Sequence, residues 1–167
     1  MQESQRSQKY LPPIPEGVEA YFFMRMCADG FSDDHSEWYD FRKLDNLPPC
    51  CLKYEIDPSR PLAFRYPPQP SNFTIIDLPL RAALETMSDD QQYFLNPARW
   101  DRVKRQLAEG SLEYPWMTTN PGGYPALEQG RHRIVAMMRL YGMKTAPFIV
   151  EKQDLPAVEA WPAFGLK

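Results

Sequence analysis

From residue 73 onward the spacing of apolar residues changes segment by segment. FTIIDL (73–78) is a β-branched run and predicts a strand. Asn96 followed by Pro97 is an N-cap with proline at the first helical position, and the helix continues through ARWDRVKRQLAE to Gly110, a residue suited to ending it. Trp100, Val103 and Leu107 fall on one face of that helix and predict a buried stripe, with Arg99, Arg102 and Arg105 elsewhere on the cylinder. LEYPWMT (112–118) and GYPALEQ (123–129) flank an NPGG turn and read as a hairpin. A second helix follows, with Ile134, Met137, Met138 and Tyr141 as its apolar stripe and Gly142 as its end; its methionines read as core filler. TAPFIVE (145–151) is the last strand. The order is strand, helix, strand, strand, helix, strand.

The first 72 residues are punctuated differently. Eighteen prolines fall in the chain, clustering in LPPIP (11–15), LPP (47–49) and YPPQP (66–70), and such clusters stop elements rather than build them. VEAYFFMRM (18–26) and CLKYEI (51–56) are the expected strands there, and SDDHSEWYDFRKL (32–44) reads as a short helix capped by Ser32. Residues 1–17 lack an apolar core segment and read as a flexible lead-in rather than a signal peptide. The expected organisation is therefore an α+β fold. It comprises the lead-in (1–17), an N-terminal extension (18–72) packed on the core, a core with a mixed sheet and packed helices (73–155), and a C-terminal tail (156–167).

Composition narrows the class. Apolar residues at 43% and charged residues at 25% are those of an ordinary globular domain, and no run approaches the roughly 20 apolar residues of a membrane span. Cys27, Cys50 and Cys51 are odd in number and lack metal-ligand spacing; they read as reduced thiols, which places the protein in the cytoplasm. Asp33, Asp34, His35, Glu37 and Asp40 lack the spacing of a calcium loop and read as helix-start chemistry. No P-loop or dinucleotide-binding glycine motif is present. Net charge is −3, but 9 basic against 15 acidic residues give −6 over 1–97, and 10 against 7 give +3 over 98–167. An anion would therefore go to the second half.

The most informative stretch is EQGRHRIVAMMRLYG (128–142). Arg131, His132 and Arg133 occupy the first helical turn, where the helix dipole is already positive and each unanswered cation costs about 0.3–1 kcal/mol. Gly130 permits a tight turn and close approach of a ligand to the backbone. The free N–H groups of the turn and the arginines together suit a phosphate or carboxylate. Glu128 stands close enough to hold a metal ion or to pair with an arginine. The plain alternative is a salt-bridge cluster, in which Glu128 neutralises Arg131 or Arg133 and His132 is structural.

The stretch WDRVKRQLAEGSLEYPWMTTNPGGYPALEQGRHRIVAMMRLYGMKTAPFIVE resembles the core of the ParB/sulfiredoxin superfamily. The likeness lies in the helix ending at Gly110, the Pro115 strand, the hairpin, the glycine-led basic helix start and the closing LYGMKTAP strand, with Asn96-Pro97 and Arg99 similar to the box that precedes this core in partition proteins. It implies a mixed sheet with packed helices, and phosphate binding by Gly130, Arg131 and Arg133 together with Asn96 and Arg99. Sulfiredoxins carry a reactive cysteine where this chain has Arg131, so sulfinic-acid reduction is not implied. Partition proteins carry a glutamate there and a helix-turn-helix domain afterwards; only 16 residues follow Glu151 here.

Among members, the chain looks most like the fertility-inhibition proteins of conjugative plasmids, of the Osa type. That implies ATP hydrolysis, with Mg2+ as a possible cofactor, and cleavage of DNA without sequence preference, directed at DNA transfer through a secretion apparatus. The catalytic set would be Glu128, Arg131, His132 and Arg133: Arg131 and Arg133 clamping phosphate, His132 as general acid or base, and Glu128 as metal ligand or water-orienting group. Arg99, Arg102 and Arg105 would touch DNA phosphates. Two other functions fit the same residues. One is a non-catalytic nucleotide or DNA-binding switch. The other is an interaction protein that blocks a secretion complex through its acidic, aromatic N-terminal half, anchored by YFF (21–23) and WYDF (38–41).

Overall fold

The computed structural model describes residues 39–40, 47, 50, 54–68, 72–87 and 94–166. In chain order its elements are β1 (Tyr39–Asp40), β2 (Ala63–Arg65), β3 (Phe73–Pro79), α1 (Leu80–Leu84), β4 (Phe94–Leu95), α2 (Pro97–Glu109), β5 (Ser111–Glu113), β6 (Trp116–Thr119), β7 (Pro125–Gln129), α3 (Arg131–Tyr141), β8 (Thr145–Glu151), α4 (Leu155–Ala160) and a 3-10 turn (Pro162–Phe164). The class is α+β, as the sequence predicts. The chain divides into two compact units, 1–56 with 93–109, and 57–92 with 110–167. No helix among the described residues is long and apolar enough to cross a membrane.

In the first unit, β1 pairs antiparallel with β4, Tyr39 opposite Leu95. The predicted helix over 32–44 is thus a strand at 39–40, while its other residues lie outside those described. Strand propensity at Tyr39 wins there because a partner is supplied from more than fifty residues away, which no local pattern reveals. The strand expected at 18–26 also lies outside the described residues. Of the one expected at 51–56, the described part, 54–56, is irregular: among the described residues no strand pairs with it, and Pro58 follows.

Helix α2 begins as the sequence predicts. The Asn96 side-chain oxygen accepts from the Ala98 N–H at 2.9 Å and the Arg99 N–H at 3.2 Å, so two of the orphan donors of the first turn are satisfied. Trp100, Val103 and Leu107 are buried and Gly110 takes φ +83° beyond the last turn. Asn96→Ala is expected to cost about 1 kcal/mol and Asn96→Asp much less, measured by chemical denaturation.

The second unit holds a four-stranded sheet in the order β3-β8-β6-β7. β3 and β8 are antiparallel over seven residue pairs, Phe73 opposite Glu151 through Pro79 opposite Thr145. β8 and β6 are parallel, Trp116 opposite Ile149 and Met117 opposite Val150. β6 and β7 form the predicted hairpin, with a register shift at Trp116–Met117. Alternation places Leu78, Phe148, Val150 and Met117 on one face, all fully buried. Ile134, Val135, Ala136 and Met137 of α3 are equally buried, and α1 touches β3, β7 and α3, joining helix to sheet. Thr86 closes the end of α1: its hydroxyl donates to the Ala83 carbonyl at 2.7 Å and accepts from the Leu127 N–H at 3.0 Å, tying α1 to β7.

Four features of this unit depart from the sequence reading. LEYPWMT is two strands, because Pro115 has no N–H to donate and the pairing with β2 ends after Tyr114. Leu112 of β5 pairs with Phe64 of β2, an unexpected parallel ribbon. LRAAL after Pro79 is a helical turn. Finally, residues 155–164, most of which were read as a tail, carry α4 and the 3-10 turn, which bury Val158 and Phe164.

Candidate functional site

Strand β7 enters the turn with Glu128 and Gln129 exposed, the chain reverses at Gly130, and α3 starts at Arg131. Gly130 has φ +115°, a backbone that L-residues rarely take. A Cβ built on it would lie 2.8 Å from the Cβ and 3.0 Å from the Cα of Pro115. The buried Pro115 of the β5–β6 connection therefore makes a close approach that only glycine permits. The Gly130 carbonyl accepts the first helical hydrogen bond, from the Ile134 N–H at 2.8 Å. No side chain caps this helix and its first turn holds no acidic residue.

The three cations divide by environment. The Arg133 guanidinium turns back under the turn, where its Nη1 donates to the Glu113 carbonyl at 3.1 Å and the Tyr114 carbonyl at 2.8 Å. Its Nη2 lies 3.9 Å from the Glu113 carboxylate, at the outer limit of an ion pair. Burial lowers the pKa of Arg133, and the attraction of Glu113 offsets this only in part, while Arg65 adds a further repulsion. Arg133 remains charged, held by the two carbonyls and Glu113.

Arg131 and His132 are buried, at 8% and 6% exposure, and neither is without a partner. Asn96, Arg99, Arg102 and Arg105 belong to the first unit; Asn96 is buried as the cap of α2, and the three arginines are exposed along that helix. Among the described residues no three metal-binding side chains come together. Glu128 stands exposed at the strand end. Cys50 is buried; Cys27, Cys51 and His35 lie outside the described residues.

Sequence reasoning did not single out Glu113, Tyr114 and Arg65, which sit around Arg133. The available signal was Tyr114-Pro115: a proline that ends a strand leaves carbonyls facing away from any ladder, and a buried arginine is a natural donor to them.

Fold and site define an α+β protein whose mixed sheet carries a cation-rich strand-to-helix turn. Comparison of the chain with known protein families, with curated proteins and with solved structures found no match.

Proposed function

We propose that the chain is a phosphohydrolase of the ParB/sulfiredoxin type, with the fold of that superfamily. It takes ATP and the DNA backbone as substrates, seats phosphate at the head of α3, and acts in the cytoplasm to block DNA transfer through a conjugative or secretion apparatus. The observation that carries this reading is the first turn of α3, with three consecutive basic residues, no acid and a left-handed glycine behind it. The Arg133 charge close behind that turn, 3.9 Å from the Glu113 carboxylate, adds to it.

In this reading the residues of the turn divide the work. Arg133 holds the turn together through two carbonyls, so its charge acts on phosphate from behind. Arg131 and the turn's N–H groups bind the phosphate oxygens, in a buried setting where charge-assisted hydrogen bonds are strong. Glu128 orients the attacking water, and His132 takes its proton as the bond from phosphorus to the leaving group breaks. No step is routed through a metal. Arg99, Arg102 and Arg105 hold DNA phosphates without reading bases, which makes DNA affinity fall steeply with salt.

One observation favours a second reading. Because Arg133 links the head of α3 to the β5–β6 connection, an anion bound there would shift that connection without any turnover, which describes a switch.

The test measures ATP turnover with and without magnesium, in wild type and in Arg131→Ala. Arg131→Ala is expected to lose at least tenfold of the rate while keeping its unfolding midpoint within a few degrees. Arg133→Ala is the wrong probe, since loss of its carbonyl contacts alone would lower activity. Nucleotide-dependent stabilisation with no turnover selects the switch. Equal turnover in wild type and Arg131→Ala removes the head of α3 from the mechanism.

A further inference from the structure

The ribbon of β2 and β5 has two unlike faces. By strand alternation Phe64 and the next residue but one, Tyr66, lie on one side with Tyr114, whose N–H continues the ladder by donating to the Arg65 carbonyl at 2.9 Å. The three rings form a ladder. Phe64 and Tyr114 are stacked, with centroids 5.4 Å apart and planes at 18°, and Tyr66 leans on Tyr114 at 5.1 Å and 54°. Phe64 and Tyr114 are half-buried, while Tyr66 is 53% exposed and presents the end of the ladder to water. Pro67 biases Tyr66 toward extended backbone, which continues the strand direction and keeps the residue beside Tyr114.

The other face is cationic. Arg65 is exposed and donates to the Ser111 hydroxyl at 3.0 Å. Arg133 reaches the same ribbon through the carbonyl of Tyr114, one of the ladder residues. Glu113 is the cross-strand partner of Arg65 and lies 3.9 Å from Arg133. Strands in a pair are only about 5 Å apart, so a ligand can place a flat ring on Tyr66 and wrap a negative group around the β2 edge to Arg65.

We infer that the Phe64–Tyr114–Tyr66 ladder is a stacking platform for a nucleobase, with Arg65 taking the adjoining phosphate. A flat π-surface joined to a phosphate matches both faces at once; an uncharged sugar or a proline-rich peptide would leave the arginines unanswered. The ligand is either a base of single-stranded nucleic acid or that of a free nucleotide. The inference deepens the proposal above, and rests on it for the polyphosphate of a free nucleotide; the stacked rings themselves play no part in that proposal.

The experiment measures binding of an oligothymidylate, and of its abasic counterpart, by fluorescence anisotropy, and stabilisation by dTTP and by tripolyphosphate by thermal shift. Proteins are wild type, Tyr66→Ala, Tyr66→Trp and Arg131→Ala. Tyr66→Ala is expected to weaken oligothymidylate binding about five- to a hundredfold, Tyr66→Trp to restore it, and the abasic strand to ignore both changes. If dTTP outperforms tripolyphosphate only with an aromatic residue at position 66, a free nucleotide is a ligand; if only the oligonucleotide responds to Tyr66, it is the single strand. Unchanged binding of both dTTP and oligothymidylate in Tyr66→Ala, or no binding of either by wild type, overturns the platform. Tripolyphosphate stabilisation that vanishes in Arg131→Ala while Tyr66→Ala is neutral overturns the platform and leaves the phosphate seat. Tyr66-dependent oligothymidylate binding with no effect of tripolyphosphate does the reverse.

Discussion

Replacing Gly130 with alanine is expected to lower the stability of the 57–92/110–167 unit by about 2–5 kcal/mol, measured by urea or thermal unfolding. Two effects add. An L-residue at φ +115° carries a backbone penalty of about 1–2 kcal/mol. The new methyl also meets Pro115 at 2.8 Å and 3.0 Å, one contact being to the backbone Cα, so relief requires moving the chain rather than rotating a side chain; such overpacking costs about 1–3 kcal/mol. Gly123 is the control, since it also has positive φ but a Cβ there meets nothing within 4 Å. Gly123→Ala should show the backbone penalty alone. Equal losses at the two positions would mean that Pro115 yields freely, and that the β7–α3 turn is not anchored to the β5–β6 connection.

The second large effect is expected at Arg133. Its removal strands the carbonyls of Glu113 and Tyr114 in a half-buried place, and hydrogen bonds from a charged donor contribute about 1.5–3 kcal/mol each before solvent compensates. A loss of about 2–4 kcal/mol is expected for Arg133→Ala. Arg133→Lys should recover only part of it, since both bonds are made by Nη1 and the shorter lysine side chain ends short of that position. The Glu113 carboxylate matters less, because a 3.9 Å pair with both side chains partly exposed is worth about 1 kcal/mol at most. A double-mutant cycle of Arg133→Ala with Glu113→Gln separates the two contributions. Coupling well above 1 kcal/mol would show that the ion pair, not the carbonyls, holds the turn.

These two residues also show where sequence reasoning stopped. Local chemistry was legible: the Asn96-Pro97 cap, the Trp100–Val103–Leu107 stripe, the NPGG hairpin and the β-branched strands at 73 and 145 all stand as expected, because each depends on neighbours within one or two turns of chain. The need for glycine at 130 was legible too. Its reason was not, since the atom that crowds it belongs to Pro115, brought in by the register of β6 against β7. Likewise Arg133 was readable as a misplaced cation, but the carbonyls that receive it appear only once β5 ends at a proline. The β1–β4 and β2–β5 pairs and the docked helix α4 depend on partners distant in sequence, so the proline-rich spacing around them gave no local period to read.

Strand β8 lies between β3 and β6, yet every other strand of its sheet precedes it in the chain. During synthesis from the N-terminus, β3 and the β6–β7 hairpin therefore leave the ribosome before the strand that joins them, each with an open edge toward the gap. The centre of this sheet is made last. The interval between emergence of the hairpin and emergence of β8 is the period when a nascent chain is most exposed to pairing with the wrong strand, and when a chaperone that shields sheet edges would matter most.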